Sequence, residues 1–313
     1  MQLIRQPFIQ NFPASLKLLV LLLVILVSGL FTLIFGMAAG YLFFGRDIME
    51  YLNGSVALTD PTMLPLLKYL QIINTLGLFL IPPLIFAWLA DQKPGAYLSL
   101  DREPAVVTSI SGTAAILVIL PFIHWTAGIN EMLQLPEWLS GLEQWMKDSE
   151  AEAAEITKLF LSTGRISGLA VNILMIALLP AMGEELLFRG VLLRLFREWT
   201  GRLHIAVIIS ALLFSALHLQ FYGFLPRFIL GLVLGYLFVW SGSVWVPVTV
   251  HFVNNGVAVV AAWLYERGSI GTDVDSLGSA DQPFIILASG IMTLVLLIMT
   301  RVYEDKKKGS IMG

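Results

Sequence analysis

The 313-residue chain contains no cysteine. That absence removes disulfides, thiolate zinc sites and a cysteine nucleophile together. Charge is scarce as well: 13% of the residues are Asp, Glu, Lys or Arg, against about a quarter in a soluble domain. A formal net charge of −3 argues neither for nucleic acid nor for an acidic partner, so charge has to be read loop by loop. The histidines number four, and none lies in an HExxH zinc motif. "SGSVW" provides no serine with a partner base. The GTDVD stretch at 271–275 belongs to a polar outer loop, whereas a paired-aspartate mechanism needs its carboxylates inside the membrane. Repeats are missing too, and the short "EDKKKGS" tail is the one biased segment.

What the chain has is apolar length. It is 57% hydrophobic with a mean hydropathy of +0.82, which identifies a polytopic membrane protein of the all-α class. A helix needs about 20 apolar residues to cross a bilayer. That rule predicts a transmembrane bundle of about eight spans, near 18–44, 70–90, 105–127, 168–195, 203–220, 224–241, 244–265 and 283–300. The first run is far longer than a signal-peptide core and has no small-residue cleavage site, so it reads as a retained span. The sixth and seventh are separated only by "SGSVW", which makes them the pair most easily merged.

Lysine and arginine in short loops set orientation. The stretch 189–202 carries Arg189, Arg194, Arg197 and Arg202, and the tail carries Arg301, Lys306, Lys307 and Lys308. Segment 131–165 instead holds the acids Glu131, Glu137, Glu143, Asp148, Glu150, Glu152 and Glu155 against Lys147, Lys158 and Arg165. The acidic segment is expected outside and both termini in the cytoplasm. Within it, Trp138, Leu142 and Trp145 follow one another at helical spacing, as in an amphipathic helix at the outer interface or a solvated connecting helix.

An ionisable group in hydrocarbon costs several kcal/mol unless paired or hydrated, so each is a functional candidate. Glu184, Glu185, His218 and His251 are the four that do not snorkel from span ends. Glu185 and Arg189 are four apart on one helical face and should pair. Glu184 is turned about 100° away and cannot use the same arginine equally well, which leaves it available. Phe214 sits four residues before His218, and Asn255 four after His251, each pair on one face. At 1.5 Å per residue, Glu184, His218 and His251 lie about 18, 22 and 10 Å from the inner surface. Pro180, four residues before Glu184, is placed to kink that helix. Helix bundles build polar sites from side chains converging in this way. A proton relay in a transporter, or a non-catalytic membrane scaffold, uses the same residue types. His124 and His204 sit near span ends and read as interfacial. Trp240 and Trp245 read as belt residues, and Gly231 with Gly235 as a close-packing signal.

The residues Glu184-Glu185-Leu186-Leu187-Phe188-Arg189, Phe214-Ser215-Ala216-Leu217-His218 and His251-Phe252-Val253-Asn254-Asn255 match EExxxR, FxxxH and HxxxN in that order. Together they resemble the CAAX protease and bacteriocin-processing (CPBP, Abi) family of intramembrane endopeptidases, of the type II CAAX prenyl endopeptidase kind. The resemblance covers residues 168–262 as a catalytic core. It leaves 1–167 as N-terminal transmembrane helices with the outer amphipathic segment, and 263–313 as the last span and a basic tail. It implies that Glu184 and His218 activate a water, that His251 and Asn255 stabilise the oxyanion, and that Glu185, Arg189 and Phe214 support them. The expected partners are a membrane-associated protein or peptide substrate and the lipid bilayer, with no nucleic acid. The expected compartment is the bacterial cytoplasmic membrane. No cofactor is expected. Zinc is the alternative, with Glu184, His218 and His251 as its ligands and Glu185 as the base.

Overall fold

The computed structural model describes residues 6–57, 59–132, 135–269 and 282–311, so the GTDVD stretch at 271–275 lies outside the described residues. Among the described residues the chain is all-helical, with no strand. The principal helices are α1 (Ala14–Phe44), α2 (Pro61–Ala90), α3 (Val106–Val118 and Leu120–Glu131, bent by 46°), α4 (Ser140–Leu161), α5 (Ile166–Thr200), α6 (Leu203–Ala216), α7 (Phe224–Ser241), α8 (Trp245–Glu266) and α9 (Pro283–Ile311).

Among the described residues six helices are long and apolar enough to cross a bilayer, seven if the bent α3 counts as one. The remaining expected span coincides with α6, whose 14 residues cover about 21 Å, less than the ~30 Å hydrocarbon core. It stops early because the chain turns sharply behind it, with Leu219 at φ +53°, a conformation a branched side chain rarely adopts. α7 and α8 are separate helices because Gly242, at φ +70°, ends the first in the left-handed conformation that glycine favours.

Two sets of contacts define the faces of the bundle. On one, Lys17 pairs with Glu198 at 2.8 Å, Arg194 donates to Ser99 Oγ, Ser243 Oγ and the Trp245 indole donate to the carbonyls of Arg102 and Leu100, and Lys308 donates to the Trp240 carbonyl. On the other, Asn130 donates to the Phe221 carbonyl, Glu150 accepts from the Tyr222 amide, and the Trp145 ring lies 5.5 Å from Phe221. The start of α1 and the end of α9 therefore lie at the same end of the bundle.

Small residues let the helices approach. A Cβ at Gly231 would lie 3.1 Å from Ala211 Cα, and one at Gly235 3.1 Å from a Val207 methyl, so α7 packs tightly on α6. α9 docks on α3 through a polar stripe: Ser289 accepts the Phe122 amide, Thr293 and Thr300 reach Ala115 O and Ser111 Oγ, and Thr108 donates to the buried Glu304. Away from these seams α1 presents Leu19, Leu22, Leu23, Leu26 and Leu30, all exposed, as the lipid-facing side of an integral membrane protein.

Candidate active site

α5 is not a uniform helix. Two π-helical turns, Ile173–Leu178 and Leu186–Leu192, bracket the α-helical Leu179–Glu185. The first has a sequence cause. Pro180 has no N–H, and in a regular helix its ring would press on the carbonyl of Ile176 four residues back. The widened turn relieves that pressure, and Asn255 on α8 donates its amide to the Ile176 carbonyl at 3.1 Å. Gly183 then brings α5 against the backbone of α2, since a Cβ there would lie 2.9 Å from Phe79 Cβ and 3.1 Å from its carbonyl carbon. Glu184 and Glu185 follow on this tightly held turn.

Glu185 and Arg189 are 0% and 1% exposed, and Arg189 Nη1 donates to Glu185 Oε1 at 2.8 Å. The guanidinium also donates to the Gly231 carbonyl at 3.0 Å and lies 4.8 Å from the centre of the Phe214 ring. The pairing expected from the spacing is present. What spacing did not suggest is that Glu185 Oε1 also accepts from His251 Nδ1 at 2.8 Å. Arg189, Glu185 and His251 thus form one buried polar chain across α5 and α8.

Glu184 takes no part in that chain. Its Oε2 is buried without a hydrogen-bond partner and sits 4.0 Å from His251 Nε2. His218, just beyond the end of α6, has Nδ1 2.7 Å from the Phe214 carbonyl. A carbonyl only accepts, so this nitrogen carries the proton, and Nε2 of the neutral ring keeps its lone pair. Phe214 packs edge-on against both imidazoles, 5.1 Å from His218 and 5.9 Å from His251, and holds their relative positions.

Glu184, His218, His251, Asn255 and Phe214 line one cavity of about 740 Å³. Its walls extend beyond the three motifs. Leu117, Leu120 and Ile123 come from α3, Ala154, Thr157 and Lys158 from α4, and Ala258, Ala261 and Ala262 from the C-terminal half of α8. His124 also lines it, whereas His204 bonds to the Tyr236 hydroxyl away from it. Arg227, in the first turn of α7, is a further lining residue that no motif singled out.

A zinc ion bound tetrahedrally would hold two N or O ligands roughly 3.3 Å apart. Glu184 and His251 are 4.0 Å apart, and among the described residues no three His, Asp or Glu side chains are grouped to hold a metal ion. The donor set as arranged does not fit that site.

This constellation has relatives. Residues 166–257 match the family model described as type II CAAX prenyl endopeptidase Rce1-like. The Rce1-like match contains Glu184, Glu185, Arg189, Phe214, His218, His251 and Asn255, and at family level it supports CAAX-type intramembrane proteolysis. Among curated proteins, the chain is similar to the uncharacterized protein YpbD of Bacillus subtilis (strain 168), 34% identical over 90 residues, which cover 28% of this chain and 43% of the relative. It is also similar to an uncharacterized 24.3 kDa protein of Escherichia coli, 34% identical over 102 residues, covering 31% of this chain and 46% of that protein. The chain spans less than half the length of the curated relatives it matches. No solved structure matches the chain. The α3 and α4 walls of the cavity lie outside the Rce1-like match.

Proposed function

We propose that the chain is an intramembrane endopeptidase that hydrolyses a peptide bond of a membrane-associated protein or peptide. A CAAX-type protein or a peptide precursor suits the family resemblance. The observation that carries the reading is the carboxylate of Glu184: it takes no part in the neighbouring ion pair and shares a cavity with His218 and His251. A scaffold needs no buried carboxylate oxygen without a hydrogen-bond partner at that place, and a proton relay needs no cavity of peptide size beside it.

The chemistry follows from the hydrogen-bonding capacities. Glu184 and His218 Nε2 are both acceptors, so a water between them is held by its two hydrogens and directs a lone pair at the substrate carbonyl. Glu184 takes one proton as the oxygen–carbon bond forms. The carbonyl oxygen becomes an oxyanion, met by His251 Nε2–H, with Glu185 Oε1 holding the ring through Nδ1. Asn255 spends one amide N–H on Ile176 and offers the second to the same oxyanion. Glu184 then returns the proton to the leaving nitrogen as the carbon–nitrogen bond breaks. No step is routed through a metal. We place the protein in the bacterial cytoplasmic membrane with both termini cytoplasmic and residues 131–165 outside. The catalytic core is assigned to 168–262, flanked by 1–167 and 263–313.

The test compares terminal peptides of the membrane proteome in cells expressing the chain or its Glu184→Gln variant at equal levels. New termini that depend on Glu184 are expected. An identical set of termini would sink the protease reading and favour the transporter or the scaffold.

A further inference from the structure

We infer that Arg227 is a carboxylate seat for the substrate. The inference rests on the peptide-hydrolase reading of the same cavity and adds a specificity determinant to it.

Arg227 is a half-buried cation in the cavity wall; Glu150 and Glu184 act on it through space, but among the described residues no carboxylate is in direct ion-pair contact with it. Its hydrogen bonds go to neutral acceptors: Nη1 donates to the Gln220 carbonyl at 3.2 Å and Nη2 to the Gln220 side-chain oxygen. A guanidinium has five N–H donors, so these bonds fix its plane and leave donors over. Its position adds to the effect. Arg227 stands in the first turn of α7, where the helix end is already electropositive, so guanidinium and helix end together favour an anion. Lys158 also lines the cavity but is exposed, so water screens it.

Gly223 supplies independent support. Its backbone, at φ −93° and ψ 6°, is open to any residue, so glycine is not there for its conformational freedom. It is there for space: a Cβ would lie 2.1 Å from Arg227 Nη1 and 2.8 Å from Cζ. The absent side chain is what lets the guanidinium fold back over residues 220–223. Arg227 and Glu184 line the same cavity, so a peptide whose carboxylate rests on the guanidinium lies along the wall that carries Glu184, His218 and His251. That carboxylate is either the chain's own terminus or an acidic side chain.

The full chain in nanodiscs is titrated with four peptides: N-acetyl-Leu-Leu-Leu as free acid and as amide, and N-acetyl-Leu-Asp-Leu-amide beside its Asn counterpart. At least one acid should bind about tenfold tighter than its neutral partner, the scale of a charge-assisted hydrogen bond. Preference within the first pair marks a terminal carboxylate, and within the second a side chain. Arg227→Gln should bring the ratio close to one, and Arg227→Lys should keep part of it through charge alone. Gly223→Ala displaces only the flexible end of Arg227, so it should lower the ratio with the fold intact. Ratios near one in the wild type, or unchanged in Arg227→Gln, overturn the inference. Binding preference is read without turnover, so it stands or falls separately from Glu184-dependent cleavage.

Discussion

If Arg189 and Glu185 are buried only because each neutralises the other, then removing both should cost no more than removing one, and far less than the two single losses added together. Their contact is a single hydrogen bond at 2.8 Å, with Glu185 Oε2 and Arg189 Nε unpartnered, rather than a two-pronged fork. The lower end of the range for breaking a buried pair therefore applies, about 3 kcal/mol for Glu185→Leu or for Arg189→Met. The double variant leaves no orphaned charge and should also lose about 3 kcal/mol or less, which makes the coupling energy about 3 kcal/mol or more. The assay is reversible unfolding of the purified protein in mixed micelles, run as a double-mutant cycle. Stability and activity should then separate. In the stable double variant His251 has lost the acceptor for Nδ1, and a misplaced imidazole should lower turnover on the order of 10²-fold. Glu185→Gln with Arg189→Met restores an oxygen acceptor without restoring charge, and turnover should partly recover. Effects of the single substitutions that add within about 0.5 kcal/mol would refute the ion-pair argument. A Leu/Met double variant as active as the wild type would refute the orienting role of Glu185.

Asn255→Ala should cost about 1–3 kcal/mol by leaving the Ile176 carbonyl short of a donor, and Pro180→Ala, which supplies an N–H, should recover most of it; equal losses in both backgrounds would count against this coupling. Reporter fusions after Met146 and after Lys308 should report opposite sides of the membrane, and finding both on one side would overturn the even number of passes. Cleavage should survive exhaustive chelation. Stoichiometric zinc, with activity lost on its removal and restored by zinc alone, would reassign Glu184, His218 and His251 as ligands and Glu185 as base.

How much of this was legible depended on whether the signal was local. The Glu185–Arg189 pair, Phe214 under His218 and the GLVLG packing face are one-helix statements, and helical spacing alone suffices for them. The eight helical segments were legible because hydropathy over about 20 residues integrates much weak evidence. Contacts that cross between helices were not. Nothing in the spacing of Glu185 and His251 brings them within 2.8 Å, and the polar stripe Ser289, Thr293, Thr300 and Glu304 reads as part of an ordinary span until α3 is laid against it. Arg227 was passed over because a single arginine at a span end reads as snorkelling. Only its place in the cavity and the glycine beneath it distinguish it.

The π-helical turns show how a local rule and a distant residue combine. Sequence alone announces Pro180 as a disturbance in α5, and a kink is the usual expectation. The structure absorbs the disturbance differently, widening the turn at 173–178 and sending Asn255 from α8 to the Ile176 carbonyl. The next α-helical turn is pressed on α2 at Gly183 and tied to α8 through Glu185 and His251. Glu184 sits between those two anchors. A carboxylate kept off a neighbouring arginine in a membrane needs a rigid surround, because any freedom would let the two meet. On this view the conflict between a proline, two acids and a lipid-length helix is resolved by fixing the backbone so that Glu185 alone can meet Arg189. The availability of Glu184 is then a property of the whole α2–α5–α8 contact and not of its own side chain.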